Sequence, residues 1–140
     1  AARLFDQVVV AVARNGGKQS LFTPAERKTL IEQSTGGLGN VSVDIFEGLL
    51  VDYVEQQSGQ AVIRGLRALS DFEYEFQMAL MNRKLNEQVE TLFMMPRASY
   101  SFLSSHLVKE IATLGGDVSA FVTPEVRAAL SERLGQVGAN

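Results

Sequence analysis

The chain has 140 residues, 46% hydrophobic and 21% charged, which predicts one globular domain over residues 1–140. A net charge of −3 excludes a broad attraction to nucleic acids or anionic membranes, but a local basic cluster can still bind a small anionic ligand. Because the chain has no cysteine, no signal-peptide layout and no apolar run near the ~20 residues of a membrane span, we expect a cytoplasmic protein with small partners.

The first half of the chain alternates two predicted strands with two predicted helices. Residues 7–13, Q-V-V-V-A-V-A, are a β-branched apolar run typical of a strand buried on both faces of a parallel sheet. The motif T-P-A-E at 23–26 predicts a helix start with a capping box, because its Thr can cap and its Glu is the matching acid. Residues 41–46 indicate a second strand, and helical spacing resumes after Gly48.

The second half continues the alternation. Residues 61–64, A-V-I-R, are a very short predicted strand. The motif S-D-F-E at 70–73 predicts a second capping box, which opens a long helix through about Leu85. A fourth strand is predicted at 90–95, E-T-L-F-M-M. Two further helices are expected, from about Ser104 to Leu114 and from Thr123 onward.

This order predicts an α/β fold, a single doubly wound parallel sheet of Rossmann-like type with helices on both faces. In such a sheet, ligands bind outside the carboxyl ends of the strands. Lys18 follows the first predicted strand, Leu50 the second, R-G-L-R at 64–67 ends the third, and Y-S-F-L-S-S-H at 100–106 follows the fourth. We therefore predict that these four stretches converge on one rim of the sheet.

Three cations at this rim, Lys18, Arg64 and Arg67, predict a site for phosphate groups, since Arg binds oxyanions bidentately and Lys acts as a point charge. Gly65 between the two arginines permits close approach of a ligand to the backbone. The alternative is a pair of solvated surface arginines. Similarly, backbone N–H groups near Ser104 either hold a phosphate or belong to an ordinary hydroxyl-capped helix start.

The sequence offers no obvious nucleophile or general base. His106 is the one histidine, and no Ser, Cys or carboxylate stands at a spacing that indicates a triad or a metal site. We expect His106 to cap a helix or face solvent. Glu73 is the predicted capping partner of Ser70, while Glu75 either binds a ligand or faces solvent. Chemistry by positioning and charge stabilisation is favoured, as in nucleotidyl or phosphoryl transfer.

Two long segments resemble the signatures of the bacterial phosphopantetheine adenylyltransferase family. They are R-G-L-R-A-L-S-D-F-E-Y-E-F-Q-M-A-L-M-N-R at 64–83 and Y-S-F-L-S-S-H-L-V-K-E-I-A at 100–112, and the similarity covers essentially the whole chain. The resemblance implies a nucleotidyltransferase that joins ATP and 4′-phosphopantetheine to give dephospho-coenzyme A and pyrophosphate, using Mg²⁺. It also implies a homohexamer and feedback inhibition by coenzyme A.

The resemblance also assigns site residues to each substrate. Lys18 and Arg67 would support the transfer, in which the phosphate of phosphopantetheine attacks the α-phosphorus of ATP. His106 stands where the family usually has a small hydroxyl residue, and we interpret it as a tolerated change. The implied phosphopantetheine contacts are Lys18, Leu50 and Arg64. The implied ATP contacts are Gly65, Leu66, Arg67, Glu75, Tyr100, Ser101, Phe102, Leu103, Ser104, Ser105 and His106.

One part of the family pattern does not occur in this sequence: the first strand, with its G-[ST]-F-D-P loop and the N-G-H-like motif that carries the catalytic His. The opening residues A-A-R-L-F-D match the end of the helix that follows that motif. Since the family's first strand lies in the middle of its sheet, two neighbouring strands would lack ladder partners without it. We therefore expect a further segment ahead of Ala1, and loss of adenylyl transfer if there is none.

Three other functions stay open at this point. A non-catalytic nucleotide- or coenzyme A-binding module would explain the phosphate-binding residues without the catalytic His. A related cytidylyltransferase or other nucleotidyltransferase would share the architecture, although the long match at 64–83 disfavours it. A structural role has only the apolar side chains of the predicted helix at 70–85 in its favour.

Overall fold

The computed structural model describes residues 1–14, 20–67 and 69–137. These residues contain each of the four predicted strands and five predicted α-helices, which confirms the α/β class. The strands are β1 (Val8–Ala13), β2 (Val41–Phe46), β3 (Ala61–Gly65) and β4 (Glu90–Met94). The helices are α1 (Pro24–Thr35), α2 (Leu50–Gln56), α3 (Leu69–Leu85), α4 (Ser105–Thr113) and α5 (Pro124–Val137), with a short 3-10 helix at Ala98–Tyr100.

The strands pair in twos, β1 with β2 and β3 with β4. β3 and β4 run parallel, with Ala61 opposite Glu90. The Val8 amide donates to the Asn40 carbonyl at 2.9 Å, so the starts of β1 and β2 also lie side by side. The described residues thus form two strand pairs where one continuous sheet was predicted. The family's central strand, which the sequence analysis expects to pair with a neighbour on each side, is not part of this sequence.

The chain divides into two compact units. One, called unit 1 here, comprises Ala1–Ile45 and Leu103–Asn140 and contains α1, α4, α5 and the β1–β2 pair. The other, unit 2, comprises Phe46–Phe102 and contains α2, α3 and the β3–β4 pair. The prediction of a single domain over residues 1–140 stays a prediction.

The core of unit 1 lies where α4 and α5 pack together. Three buried side chains form its centre, Val108 on α4, Val118 in the following loop and Leu130 on α5. Phe22 and Phe121 are among the half-buried apolar side chains that pack around them. The apolar face of each helix is therefore buried against the other, which is the main source of stability for helices of this length.

The start of α1 is fixed by the predicted capping box, which the structure confirms. The Glu26 amide donates to the Thr23 hydroxyl at 3.2 Å, and the Thr23 amide donates to the Glu26 carboxylate at 2.7 Å. Arg133 of α5 forms an ion pair with the same carboxylate and lies 5.6 Å from the centre of the Phe22 ring. Hydrogen bonds from Thr23 and the charge of Arg133 lower the pKa of Glu26.

This lowered pKa predicts a pH dependence of stability. Since the Glu26 carboxylate is preferred in the folded state, its stabilising effect is present above the pKa of the unfolded chain and is lost as the pH falls below about 4. Glu26→Gln is expected to flatten the fall of the melting temperature between pH 7 and pH 3.5. Glu32→Gln, on an exposed part of α1 where Glu32 pairs with Lys28, is the matched control. An unchanged pH profile for Glu26→Gln would contradict this role.

The core of unit 2 is smaller and lies between α2 and the β3–β4 pair. Val51 and Val54 of α2 are buried with Val89, and Val62 of β3 packs against them. Phe46, the last residue of β2, belongs to the same unit. Its ring stacks on that of Tyr53 in α2, with ring centres 4.9 Å apart. These contacts fix α2 against the strands whose carboxyl ends carry the predicted site residues.

Helix α3 makes one aromatic contact with the strands and leaves much apolar surface exposed. Phe72 lies 6.5 Å from Phe93 of β4, measured between ring centres, and 5.7 Å from Phe76 on the next turn. The helix also exposes several large apolar side chains, including Tyr74, Leu80, Met81 and Leu85. Large apolar side chains exposed along one helix are a common feature of surfaces that bind a partner.

Two ends of predicted helices can be compared with the structure. The prediction that Ser70 caps α3 is wrong, because α3 begins at Leu69 and Ser70 is already inside the helix.

At the start of the chain, the Phe5 amide donates to the Ala1 carbonyl at 3.2 Å, and the Asn40 side chain donates to the carbonyls of Ala2 and Phe5 at 2.8 Å each. The opening residues therefore form a hydrogen-bonded turn, and the match of A-A-R-L-F-D to the end of a helix stays a prediction.

Candidate active site

One group of predicted site residues lies where β3 ends beside α3. Arg64 is the next-to-last residue of β3, and its Nε donates to Glu75 Oε2 at 2.7 Å while its Nη2 donates to Glu75 Oε1. One edge of the guanidinium is thus bound by both carboxylate oxygens, which is the strongest geometry for such a pair. These hydrogen bonds from Arg64 to Glu75 raise the pKa of the arginine, so its charge is permanent at neutral pH.

Arg67 is held by the same helix in a looser way. Its Nε lies 3.1 Å from Asp71 Oδ2, an i,i+4 pair in which both side chains are about a third to a half exposed. Between the two arginines, Gly65 is exposed at the end of β3, and the Leu66 amide donates to the Met94 carbonyl at 3.1 Å. The backbone that joins the arginines is therefore tied to β4, and both cations are directed by α3 carboxylates.

Leu50 is the first residue of α2 and packs against the core of unit 2. It follows Gly48, whose φ of +92° is a conformation that side chains disfavour, and Leu49, which has an extended backbone. The glycine allows the sharp turn from β2 into α2. Leu50 is thereby placed at the carboxyl end of a strand, where it was predicted to lie.

The last predicted stretch crosses from unit 2 into unit 1. In unit 2, Tyr100 ends the 3-10 helix with half of its surface exposed, the Ser101 hydroxyl donates to the Ala98 carbonyl at 2.8 Å, and Phe102 is exposed. Leu103, the first residue of the unit 1 segment, is half-buried. The 3-10 helix was not predicted, because a single short turn has no periodicity for the sequence to display.

The Ser-Ser-His residues form the start of α4 in unit 1. The Ser104 hydroxyl accepts a hydrogen bond from the Leu107 amide at 3.2 Å, which confirms the predicted cap. Ser105 is the first helical residue, so its amide and that of His106 have no partner within the helix. The His106 side chain is 88% exposed and its Nε2 lies 3.9 Å from Glu110, which confirms the prediction that it faces solvent.

The structure brings together only part of the predicted site. Arg64, Gly65, Leu66, Arg67 and Glu75 lie together in unit 2, whereas the helix start that carries the serines belongs to unit 1. Lys18 lies outside the described residues. The convergence of all four stretches on one rim, and the role of each residue, therefore stay predictions.

Sequence reasoning missed three acidic or polar features of α3. It did not pair Glu75 with Arg64, because a strand residue and a helix residue meet only through tertiary packing. It did not pair Asp71 with Arg67 either, although their i,i+4 spacing is a signal present in the sequence. It also missed Asn82, a polar side chain that is 8% exposed. Asn82 stands seven residues after Glu75, and that separation puts both on one face of a helix, a signal present in the sequence.

Two features of the described residues bear on the kind of site. Within that part of the chain, no three or more His, Cys, Asp and Glu side chains are grouped as a metal site would require. Across the same residues, none of the helices has the length and apolar character needed to cross a membrane.

Comparison with known proteins decides the family. The Cytidylyltransferase-like family matches residues 1–111. Phosphopantetheine adenylyltransferase of Geobacter sulfurreducens is 52% identical over 133 residues, which cover 95% of this chain and 81% of that protein. The chain belongs to the phosphopantetheine adenylyltransferase family. The predicted family and enzyme class are therefore confirmed.

Other members of the phosphopantetheine adenylyltransferase family give the same result. That of Heliobacterium modesticaldum is 50% identical over 135 residues, covering 96% of this chain and 80% of the relative. That of Thioalkalivibrio sulfidiphilus is 53% identical over 135 residues, covering 96% of this chain and 85% of the relative. The similarity therefore includes both units, with the Arg64–Glu75 pair and the start of α4.

Proposed function

We propose that this chain transfers the adenylyl group of ATP to 4′-phosphopantetheine, forming dephospho-coenzyme A and pyrophosphate in coenzyme A synthesis. The observation that carries the proposal is the identity of about half of all residues to phosphopantetheine adenylyltransferases over some 95% of the chain. The arginines at the carboxyl end of β3 support it, because both substrates are phosphate esters and the guanidinium fork matches phosphate geometry.

We assign the first substrate to three residues, of which Arg64 is the best defined. Its free guanidinium edge would bind the phosphate of phosphopantetheine, together with the ammonium group of Lys18. Leu50, at the start of α2, would contact the uncharged part of the same substrate. Lys18 and Leu50 follow β1 and β2 in the sequence, and Arg64 is the next-to-last residue of β3, so all three suit the rule that ligands bind at the carboxyl ends of parallel strands.

ATP would bind through Arg67, the backbone of Gly65 and Leu66, Glu75 and the stretch from Tyr100 to His106. Arg67 supplies charge to the triphosphate. The free amides at the start of α4 add the positive end of a helix dipole, which favours anions. The Ser104 cap and phosphate binding are compatible, because the cap uses the Leu107 amide and leaves the first two amides available.

The reaction requires charge stabilisation more than covalent catalysis. A phosphate oxygen of phosphopantetheine forms a bond to the α-phosphorus of ATP, and the bond from that phosphorus to the oxygen bridging to the β-phosphate breaks. Pyrophosphate leaves with the electron pair. Arg64 and Arg67 would align the two anions and neutralise charge that grows on the leaving group. The catalytic His expected by resemblance belongs to a segment that this sequence does not contain.

Magnesium is proposed to enter with ATP, held by the triphosphate oxygens. Bound there, it would neutralise phosphate charge and so favour departure of pyrophosphate. The part of the chain that the structure describes offers cations rather than a carboxylate cluster for the triphosphate, which suits a metal carried by the substrate.

We further propose that the enzyme is a homohexamer in the cytoplasm and that coenzyme A inhibits it. The exposed apolar side chains of α3 support subunit contacts, since such a face is stabilised by burial against a second copy. The absence of cysteine suits a reducing compartment. Coenzyme A contains both phosphopantetheine and an adenine nucleotide, so it would occupy parts of both substrate sites.

A pyrophosphate-release assay on the full natural chain tests the proposed function. Release is expected only when ATP and phosphopantetheine are both present, and CTP in place of ATP should give little product. Binding of both ligands without release would favour a non-catalytic binding module. Faster release with CTP would favour the cytidylyltransferase alternative, which shares the fold.

A further inference from the structure

Glu75 stands out because it is the least exposed of the three carboxylates, Glu75, Asp71 and Glu90, that form ion pairs with arginines in this part of unit 2. Its side chain is 12% exposed, whereas that of Asp71 is 32% exposed and that of Glu90 is 55% exposed. Both Glu75 oxygens are used on one partner, Nε and Nη2 of Arg64. Because both oxygens of the carboxylate accept hydrogen bonds from the same arginine, we expect the carboxylate to fix the position of that arginine.

The pairing leaves the other edge of the Arg64 guanidinium available. The two hydrogen bonds to Glu75 use Nε and Nη2 and not Nη1, and the Arg64 side chain is 46% exposed. Arg64 sits at the carboxyl end of β3, where ligands of parallel sheets bind. An anion arriving from solvent therefore meets a guanidinium that is already oriented.

Orientation before binding matters for a long side chain. An unattached arginine loses rotamer freedom when it binds a phosphate, and this loss weakens binding. Glu75 removes that freedom when the chain folds. Its negative charge also repels the phosphate, but the positive charge of Arg64 in the same ion pair offsets that repulsion.

We propose that Glu75 is a positioning residue for phosphopantetheine binding, which it supports by orienting Arg64. This role is separate from the ATP contact assigned above to Glu75. The inference rests on the proposed function, because it takes the phosphate of phosphopantetheine as the ligand of Arg64.

A double-mutant cycle in the full natural chain tests the inference. Dissociation constants for 4′-phosphopantetheine and for ATP, each added alone, are measured calorimetrically for the unaltered protein, Glu75→Gln, Arg64→Ala and the double variant. Glu75→Gln should weaken phosphopantetheine binding about fivefold when Arg64 is present and less than about twofold when Arg64 is alanine. Asp71→Asn, at the looser Arg67 pair, is the matched control and should change phosphopantetheine binding less than about twofold.

The outcomes separate this inference from the proposed function. Equal loss of phosphopantetheine affinity in both backgrounds, or no loss in the presence of Arg64, would overturn the positioning role. Tighter phosphopantetheine binding by Glu75→Gln would also overturn it, since repulsion would then outweigh orientation. If the unaltered protein binds ATP but not phosphopantetheine, the proposed function fails and this inference fails with it. Melting temperatures of the variants show whether each one folds.

Discussion

Replacing Arg64 by alanine is expected to weaken 4′-phosphopantetheine binding by about tenfold to a hundredfold while changing ATP binding far less. A hydrogen bond to a charged group contributes roughly 1.5–3 kcal/mol, and each 1.4 kcal/mol is about tenfold in affinity. The variant also leaves the carboxylate of Glu75, only 12% exposed, without its arginine, which adds repulsion toward an incoming phosphate. Calorimetric titration with each ligand alone measures the two effects.

Arg67→Ala is the matched comparison, because the opposite preference is expected. It should weaken ATP binding more than phosphopantetheine binding, since Arg67 is assigned to the triphosphate. Arg83→Ala serves as a control for loss of surface charge, because Arg83 pairs with Glu90 at an exposed position of the same unit. Equal losses of both ligands in Arg64→Ala and in Arg67→Ala would contradict the division of substrates between the two arginines.

The second large effect concerns stability. Leu130→Ala should lower the free energy of unfolding by about 2–5 kcal/mol, because a buried leucine loses its contacts and leaves a cavity. Leu130 is 4% exposed and lies at the centre of the core shared by α4 and α5. Urea unfolding measures this change in the free energy of unfolding. The comparison requires that the slope of free energy against urea concentration is the same for both proteins.

An exposed leucine provides the control for this prediction. Leu114, at the end of α4, is 81% exposed, so Leu114→Ala should change the free energy of unfolding by less than about 0.5 kcal/mol. If Leu130→Ala costs no more than Leu114→Ala, then the packing of α4 on α5 does not stabilise the chain.

The sequence predicted the start of a helix correctly where that start depends on hydrogen bonds between residues close together in the chain. The Thr23–Glu26 capping box depends on two side chains and two amides within four residues, and the structure contains both hydrogen bonds. The S-D-F-E pattern at 70–73 is chemically similar, yet α3 begins at Leu69. The first turn of that helix also contains Phe72, whose contact with Phe93 of β4 is one that a four-residue pattern cannot contain.

Pairing between distant segments was the part that the sequence could not predict. Arg64 and Glu75 were assigned to different substrates, and their common ion pair arises because the end of β3 lies beside the second turn of α3. Their separation of eleven residues across a strand end and a helix start has no characteristic spacing. Likewise, the prediction of a continuous sheet assumed neighbours for every strand, and pairing depends on which strands are present.

Labelled ATP tests the central claim of adenylyl transfer most directly. The full natural chain is incubated with phosphopantetheine and with ATP that carries radioactive phosphorus at either the α or the γ position. The α label is expected in dephospho-coenzyme A, and the γ label is expected only in pyrophosphate. A phosphopantetheine product that carries the γ label would show phosphoryl transfer instead, and would contradict the account.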